Sequence, residues 1–188
     1  GNYENINHYA YVVPNFTKYG YAVWMMDYPR YGKSTGTLTE DSLYYEVLQV
    51  YKIARGAGYT PDSIIIYGRS LGTGLAAQLA SVRDCKMLIL ESPYYSINNL
   101  CSQYAWMYPI SLMMHYKIPT NEYLKKVTAP VIIFHGTDDG TIPYSNAEKL
   151  RDEVFKKGDA LIPIEGGDHN NLNDFPQMHK SLDSLLGQ

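Results

Sequence analysis

One serine in the chain lies in a pentapeptide whose surroundings suggest nucleophilic chemistry. Gly68-Arg69-Ser70-Leu71-Gly72 follows an apolar run at 64–67 and precedes a small-residue run at 73–80 that is typical of a helix. Strand, Gly-x-Ser-x-Gly and helix in that order predict a tight turn with the serine hydroxyl at its tip. We expect glycine to be needed at both 68 and 72, because a side chain there would meet the crossing strand and helix. The first N–H groups of that helix would face an oxyanion formed at Ser70.

A serine hydroxyl is a weak nucleophile at neutral pH, so it needs a base within hydrogen-bond reach and a carboxylate that orients the base. His169 follows the last predicted strand and is the predicted base. An earlier strand runs into a loop that offers two carboxylates, Asp138 and Asp139. His135 ends that strand, which favours a structural role. No pair of histidines has the spacing of metal ligands, which disfavours a metallohydrolase.

A serine hydrolase also needs two backbone donors for the oxyanion. The N–H of Leu71, the residue after the serine, is the first predicted donor. The second normally comes from the loop after an earlier strand. Gly1-Asn2 fits that loop, because it stands before a predicted helix and the strand that ends at Asp27, so Asn2 or Tyr3 would supply the donor.

Apolar runs that alternate with helical patterns position these residues. Helices are predicted at 4–19 (with Pro14 as a kink or early stop), 39–56, 145–155 and 175–186, and strands at 21–26, 64–67, 87–90, 131–134 and 160–164. Buried strands alternating with helices predict an α/β fold, a mostly parallel sheet with helices on both faces. Ligands bind at the carboxyl ends of the strands in such sheets.

A long segment without charged residues lies between the predicted strands at 87–90 and 131–134. Residues 94–116 contain no Asp, Glu, Lys or Arg and are rich in Tyr and Met. We predict a small helical cap at about 94–124 that covers the strand ends. Packing of two helices explains the composition alone; a substrate pocket is the further prediction, with Tyr94, Trp106, Met107 and Met113 in its wall.

Composition limits the class of protein. The chain has 188 residues, which suits one domain, and a net charge of -3, which gives no sign of nucleic-acid binding. No nucleic-acid partner is expected. The serine chemistry instead suggests a small molecule or an acyl substrate as the partner, and no cofactor is implied. The two cysteines, Cys85 and Cys101, lack metal-ligand spacing, and a disulfide between them is left open.

Four ordered motifs resemble the α/β-hydrolase superfamily. They are Asp27-Tyr28-Pro29-Arg30-Tyr31-Gly32-Lys33-Ser34, the Ser70 pentapeptide, His135-Gly136-Thr137-Asp138-Asp139 and Gly167-Asp168-His169-Asn170. The most similar group contains the serine aminopeptidase-like hydrolases and the α/β-hydrolase-domain depalmitoylases. The resemblance implies an α/β-hydrolase fold. It also implies that Asp139 is the acid, because Gly-x-x-Asp-x-x-Ile-Pro places it there, with Asp138 as the alternative.

The function implied is cleavage of an ester, thioester or amide bond by acyl transfer through Ser70, His169 and Asp139. The alternative is a protein of the same fold that binds a ligand or partner without catalysis.

The sequence departs from the family's pattern at its N-terminal end. In that family a His-Gly-Asn sequence follows the third strand, and Gly1-Asn2 is similar to its tail. The first three strands would then precede these 188 residues, and their absence would leave a gap beside the serine's strand. Membrane association would require a preceding segment, and a cytoplasmic location is favoured.

Overall fold

Four parallel strands form one sheet at the centre of the protein. The structure is a computed structural model that describes residues 5–104 and 116–187. The strands lie in the order β1-β2-β3-β4 and are all parallel: β1 Ile65–Arg69, β2 Met87–Glu91, β3 Val131–Gly136 and β4 Ala160–Ile164. Arg69 is paired with Glu91, and Glu91 with Phe134, so the carboxyl ends meet at one edge. Loops that follow different strands are therefore brought together there.

Helices cover both faces of this sheet, as predicted. They are α1 Ile6–Tyr9, α2 Pro14–Thr17, α3 Glu40–Gly56, α4 Leu71–Val82, α5 Ile97–Tyr104, α6 Thr120–Leu124, α7 Ser145–Val154 and α8 Pro176–Leu186. Residues of α3, α4, α6 and α7 pack with Leu88, Leu90 and Ile133 on one face. Residues of α8 pack with Ile89 and Ile132 on the other. The continuous apolar runs of the sequence arise because alternate side chains of one strand enter two different cores.

The predicted start of α3 is confirmed. Thr39 is its N-cap: its side chain accepts a hydrogen bond from the Ser42 N–H, and the Ser42 hydroxyl accepts one from the Thr39 N–H. This capping box satisfies two of the N–H groups that have no partner within a helix. The helix ends at Gly56, and Leu43 is buried on its inner side.

The single helix predicted at 4–19 is wrong in the part of the chain that the structure describes. Two one-turn helices, α1 and α2, are separated by a 3₁₀ turn at Ala10–Val12. Proline cannot donate the hydrogen bond that would continue α1, whereas it fits the first position of a new helix. Pro14 accordingly begins α2.

The strand predicted at 21–26 is also wrong, since the structure has no strand there. Trp24 and Met25 in this segment are 43% and 39% exposed. A strand needs a hydrogen-bonded neighbour, and a cavity of about 680 Å³ separates this segment from β1. Helices α3 and α4 border the cavity on one side and α1 and α2 on the other. The gap expected beside the serine's strand therefore exists in the structure.

Two further properties of the described residues bear on the chain's surroundings. Cys85 and Cys101 are not joined to each other, so the disulfide left open by the sequence is not formed. Within 5–104 and 116–187, the helices are too short or too polar to cross a bilayer.

Candidate active site

The turn between β1 and α4 holds Ser70 in a conformation that few non-glycine residues adopt. β1 ends at Arg69 and α4 begins at Leu71, so Ser70 alone connects them, with φ 51° and ψ -123°. Such a conformation is strained for a residue with a Cβ atom and persists only when its surroundings hold it. The Ser70 N–H donates to the Glu91 carbonyl at 3.0 Å, and the N–H of Thr73 donates to the Ser70 carbonyl at 2.9 Å.

The two glycines of the pentapeptide are not equally constrained. A Cβ atom on Gly68 would lie 2.5 Å from the Gly72 carbonyl oxygen and 2.7 Å from the Cβ of Ala76. At Gly72 the nearest atom would be the Tyr28 hydroxyl oxygen, at 3.1 Å, which belongs to the end of a side chain. The expected collision with the following helix is therefore confirmed for Gly68, whereas a side chain at Gly72 would make one tight contact, with Tyr28 rather than with the strand or helix.

Hydrogen bonds connect Ser70, His169 and Asp139 in series. The Ser70 hydroxyl lies 2.9 Å from Nε2 of His169, and Nδ1 of His169 lies 2.8 Å from Oδ2 of Asp139. The carboxylate can only accept, so Nδ1 carries the proton and Nε2 is left to accept from the serine. The three residues follow β1, β4 and β3, which is why the sheet brings together groups up to 99 residues apart.

Asp139 is held as an ionised, buried acceptor. The residue is 5% exposed, and its Oδ1 accepts hydrogen bonds from the N–H groups of Thr141 and Ile142 at 2.9 and 2.7 Å. Burial alone would raise the pKa of this carboxyl, but hydrogen bonds from His135, His169 and Ile142 hold the pKa well below its usual range. The other carboxylate of the loop, Asp138, is exposed and accepts from the Thr137 hydroxyl at 3.2 Å.

His135 lies against Asp139, the predicted acid, a placement that the sequence interpretation missed. It is fully buried, its Nε2 donates to the Ile142 carbonyl at 2.8 Å, and the same nitrogen is 3.4 Å from Oδ2 of Asp139. The imidazole thus supports both the loop and the carboxylate. The signal in the sequence was the spacing of four residues between His135 and Asp139 at the end of a strand.

Asp168 connects the loop of His169, the predicted base (the base loop), to the loop of Asp139, the predicted acid (the acid loop). Its Oδ1 accepts from the N–H of His169 at 2.7 Å and from the N–H of Gly140 at 3.1 Å. These two backbone donors lower the pKa of its carboxyl. The residue before the predicted base therefore fixes the base loop without entering the hydrogen-bond series itself.

A cavity of about 370 Å³ adjoins the serine. Ser70 and His169 line it together with apolar side chains of the segments on either side, among them Leu71, Tyr94, Ile97, Leu100 and Ile142. Tyr94 is 1% exposed, and its hydroxyl donates to the Leu71 carbonyl at 3.2 Å. Of the other residues predicted for this region, Asn2, Trp106, Met107 and Met113 lie outside the described residues.

The described ranges contain no group of three or more His, Cys, Asp or Glu side chains arranged to hold a metal ion. The polar side chains at the carboxyl end of the sheet instead bond to one another and to the backbone. The site is thus an arrangement of a hydroxyl, an imidazole and a carboxylate beside a partly apolar cavity.

The sequence model of the family described as "Serine aminopeptidase, S33" matches residues 1–121. The chain belongs to this family. Over 167 residues it is 30% identical to alpha/beta hydrolase domain-containing protein 17C of Xenopus tropicalis, which covers 87% of this chain and 52% of that protein. The chain thus spans about half the length of the curated relatives it matches. The resemblance to the α/β hydrolases and the depalmitoylase-like group is confirmed.

Solved structures show the same fold. A monoacylglycerol lipase of Paleococcus ferrophilus matches with a TM-score of 0.71 at 18% identity, over 99% of this chain and 91% of that one. A bromoperoxidase of Bacillus anthracis matches with a TM-score of 0.75 at 16% identity, over 100% of this chain and 90% of that one. The predicted α/β-hydrolase fold is therefore confirmed, whereas the reaction has to be argued from the site.

Proposed function

We propose that this family member is a serine hydrolase that cleaves an ester, thioester or amide bond by acyl transfer. The observation that supports this most is the hydrogen-bond series from Ser70 through His169 to Asp139. The Ser70 oxygen attacks the substrate carbonyl while Nε2 of His169 takes the hydroxyl proton. His169 then gives this proton to the leaving group, and the acyl group remains on Ser70.

Water completes the cycle by the same route in reverse. His169 takes a proton from the water as it attacks the acyl-enzyme, and returns that proton to Ser70 as the acid product leaves. Asp139 holds the imidazole with Nδ1 protonated and stabilises the imidazolium that forms in both steps. The strong preference of Asp139 for its ionised form suits this role, since the carboxylate keeps its negative charge while His169 is protonated.

The oxyanion of each tetrahedral intermediate needs donors that are in place beforehand. Leu71 is the first residue of α4, so no carbonyl within the helix can accept from its N–H. We assign this N–H as one donor, and the backbone near Asn2 as the other. A lost oxyanion donor lowers kcat by a factor of about 10²–10³ in hydrolases of this kind.

The cavity beside Ser70 supports an acyl group or another small molecule as the substrate. Leu71, Ile97, Leu100 and Ile142 give one part of it an apolar wall that suits a hydrocarbon group. Arg69, Thr141 and Asn170 give the rest a polar lining. Its volume of about 370 Å³ is at the lower end of the range of small-molecule pockets.

Hydrolysis of p-nitrophenyl esters of increasing acyl length, run beside aminoacyl p-nitroanilides, tests this function. Saturable release of nitrophenol that is abolished in Ser70→Ala supports it, and the ratio of ester to anilide turnover separates an esterase from a peptidase. Ser81→Ala is a matched control, because among the described residues the Ser81 hydroxyl donates to the Gln78 carbonyl of its own helix, α4, and takes no part in the Ser70 site. Equal turnover by Ser70→Ala and the unsubstituted protein would contradict the proposal. A folded protein that binds the esters without turnover would favour the non-catalytic alternative.

A further inference from the structure

Arg69 precedes the proposed nucleophile, and its side chain reaches the loop of the proposed base. The guanidinium Nη2 donates to the backbone carbonyl of His169 at 3.2 Å and to Oδ1 of Asn170 at 3.1 Å. The Arg69 side chain is only 10% exposed. One buried cation therefore connects the turn that presents Ser70 with the loop that presents His169.

Glu91 fixes the guanidinium from its other side. Nε of Arg69 lies 2.9 Å from Oε1 of Glu91, whose side chain is 6% exposed. The two residues are paired in register at the carboxyl ends of β1 and β2, and the Tyr67 hydroxyl donates to the other carboxylate oxygen of Glu91. The charge of Arg69 is thus balanced in the sheet, and its orientation is set by groups that lie outside the Ser70–His169–Asp139 series.

The N-terminal segment holds the remaining part of the guanidinium. Nη1 donates to the Tyr11 hydroxyl at 2.8 Å, and the guanidinium carbon lies 5.4 Å from the centre of the Tyr9 ring. Every nitrogen of the guanidinium consequently has a partner, in three different segments of the chain. A lysine cannot reproduce this arrangement, because an ammonium presents its donors from one point rather than from a planar fork.

The base loop is held by two sets of contacts, which connect it to two different parts of the site. Asp168 and the His169 ring bind it to the acid loop. Arg69 binds the same loop to the turn that holds the nucleophile. The Ser70–His169 distance depends on how the β1–α4 turn lies relative to the base loop. A contact that joins this turn to this loop therefore controls the distance most directly.

We propose that Arg69 is a positioning residue, which rests on the proposed function: its fork holds the backbone of His169 and Asn170 so that Nε2 stays within hydrogen-bond distance of the Ser70 hydroxyl. It does not exchange a proton or touch the reacting carbonyl. Displacement of a catalytic group by about 1 Å lowers the rate by a factor of about 10². Removal of the fork therefore lowers kcat with little effect on KM.

The test measures p-nitrophenyl butyrate turnover per active site, with the sites counted by fluorophosphonate titration. The main variant is Arg69→Met/Glu91→Gln, which removes the fork without leaving Glu91 as an unpaired buried charge, and its partner is Glu91→Gln alone. We expect the double variant to lose a factor of about 10–100 in kcat per titrated site, with KM within about threefold of the unsubstituted protein. Glu91→Gln, which retains the contacts to the loop, loses less.

Three further variants separate positioning from folding. Arg69→Lys is expected to lose nearly as much kcat per site as the double variant, and Asn170→Ala, which removes one of the two loop contacts, to lose less in the same direction. Arg83→Met is the matched control, because Arg83 is exposed and, in the part of the chain that the structure describes, donates to the neighbouring Val82 carbonyl rather than to the His169 loop. A fluorophosphonate adduct on Ser70 in the unsubstituted protein is tested first, since its absence contradicts the proposed function rather than this inference.

The inference is overturned if kcat per titrated site is unchanged in the double variant. If the double variant does not fold, an unchanged kcat per titrated site in Arg69→Lys overturns it instead. It is also overturned if Arg69→Lys restores full turnover per site. Fewer titratable sites with unchanged kcat per site would show that Arg69 only stabilises the fold, which is a third result against positioning.

Discussion

Asp139 determines which nitrogen of His169 carries the proton. Its Oδ1 is occupied by the N–H groups of Thr141 and Ile142, which leaves Oδ2 for the imidazole. The backbone thus fixes the rotation of the carboxylate, and the carboxylate fixes the tautomer of the ring. Loss of the negative charge at this position would change the protonation of Nε2 of His169, which faces Ser70 and does not contact Asp139.

Asp139→Asn is expected to lower kcat by a factor of about 10³–10⁴ with little change in structure. The asparagine oxygen would take the place of Oδ1, because the two backbone N–H groups require an acceptor there. Its NH₂ group would then face Nδ1 and force the proton onto Nε2, which could no longer accept from Ser70. Ester turnover measures the loss. Asp138→Asn is the matched control, and a loss of similar size in that variant would contradict the assignment.

The same carboxylate makes stability depend on pH. The pKa of Asp139 is lowered in the folded protein, and an unfolded aspartate titrates near about 3.9. The stabilisation by ionised Asp139 is therefore complete above about pH 5 and decreases as the pH falls below about 4 toward the folded pKa. Urea unfolding at pH 7 and pH 3 should show that the difference between the unsubstituted protein and Asp139→Asn becomes smaller in acid. A constant difference would contradict the lowered pKa.

The residues that the sequence interpretation found and those it missed differ in how they are connected. Ser70, His169 and the pair Asp138 and Asp139 follow strands in a recognisable order, so pattern alone could group them. Arg69 and Glu91 act through partners that are 22 to 101 residues away in the chain. Such pairs depend on the register of β1 with β2 and on the path of the His169 loop, and neither follows from local sequence.

At the scale of the elements, the turn from β1 to α4 depends on close backbone packing at Gly68. Replacing Gly68 by alanine should lower the free energy of unfolding by about 1–3 kcal/mol, because the new methyl group meets the Gly72 carbonyl and the Ala76 side chain. Gly72→Ala should change it by less than about 1 kcal/mol, since a shift of the Tyr28 hydroxyl by a few tenths of an ångström makes room for the methyl group. Urea unfolding of both variants measures the difference.

Gly56→Ala provides the control for these two substitutions. Gly56 is the last residue of α3, and a Cβ atom there would meet nothing within 4 Å. Alanine should stabilise the protein by up to about 1 kcal/mol, because it restricts the unfolded chain and favours the helix. Equal destabilisation by Gly68→Ala and Gly72→Ala would contradict the asymmetry of the turn.

Local sequence predicted the elements whose structure depends on neighbouring residues in the chain. It failed where the structure depends on a hydrogen-bonded partner from elsewhere in the chain. The start of α3 at Thr39 and the buried run of β3 are encoded within a few residues of chain, and both were predicted. The segment 21–26 has the composition of a strand but faces a cavity instead of another strand. Its failure follows from tertiary structure, since apolar composition cannot create the missing hydrogen-bond partner.

For the whole molecule, the cavity beside β1 leaves one edge of the sheet open. The backbone N–H of Lys86, just before β2, donates to the Ile64 carbonyl, so the backbone groups of Ile64 point toward β2. Because successive residues of a strand point to opposite sides, the backbone groups of Ile65 and Tyr67 point toward the cavity. The backbone of 22–27 lies across the cavity, and within the described residues it forms no backbone–backbone hydrogen bond. A further strand in this cavity would provide hydrogen-bond partners both for the edge of β1 and for the backbone of 22–27.

Hydrogen exchange of this 188-residue chain should detect the open edge. The amides of Ile65 and Tyr67 are expected to exchange faster than those of Ile66 and Gly68, which point toward β2 and serve as internal controls. Residue-resolved exchange by NMR measures both sets in one sample. Equal protection of the two sets would contradict an open edge and would mean that another segment or a second copy covers it.

The central claim is that Ser70 is a nucleophile activated by His169, and its most direct test is covalent labelling. The folded protein is incubated with a fluorophosphonate, digested and analysed by tandem mass spectrometry to locate the adduct. We predict one adduct per chain, on Ser70, which disappears in Ser70→Ala, forms much more slowly in His169→Ala and is unchanged in Ser81→Ala. A folded protein that carries no adduct on Ser70, or that is labelled at another serine at the same rate after Ser70→Ala, would contradict the account.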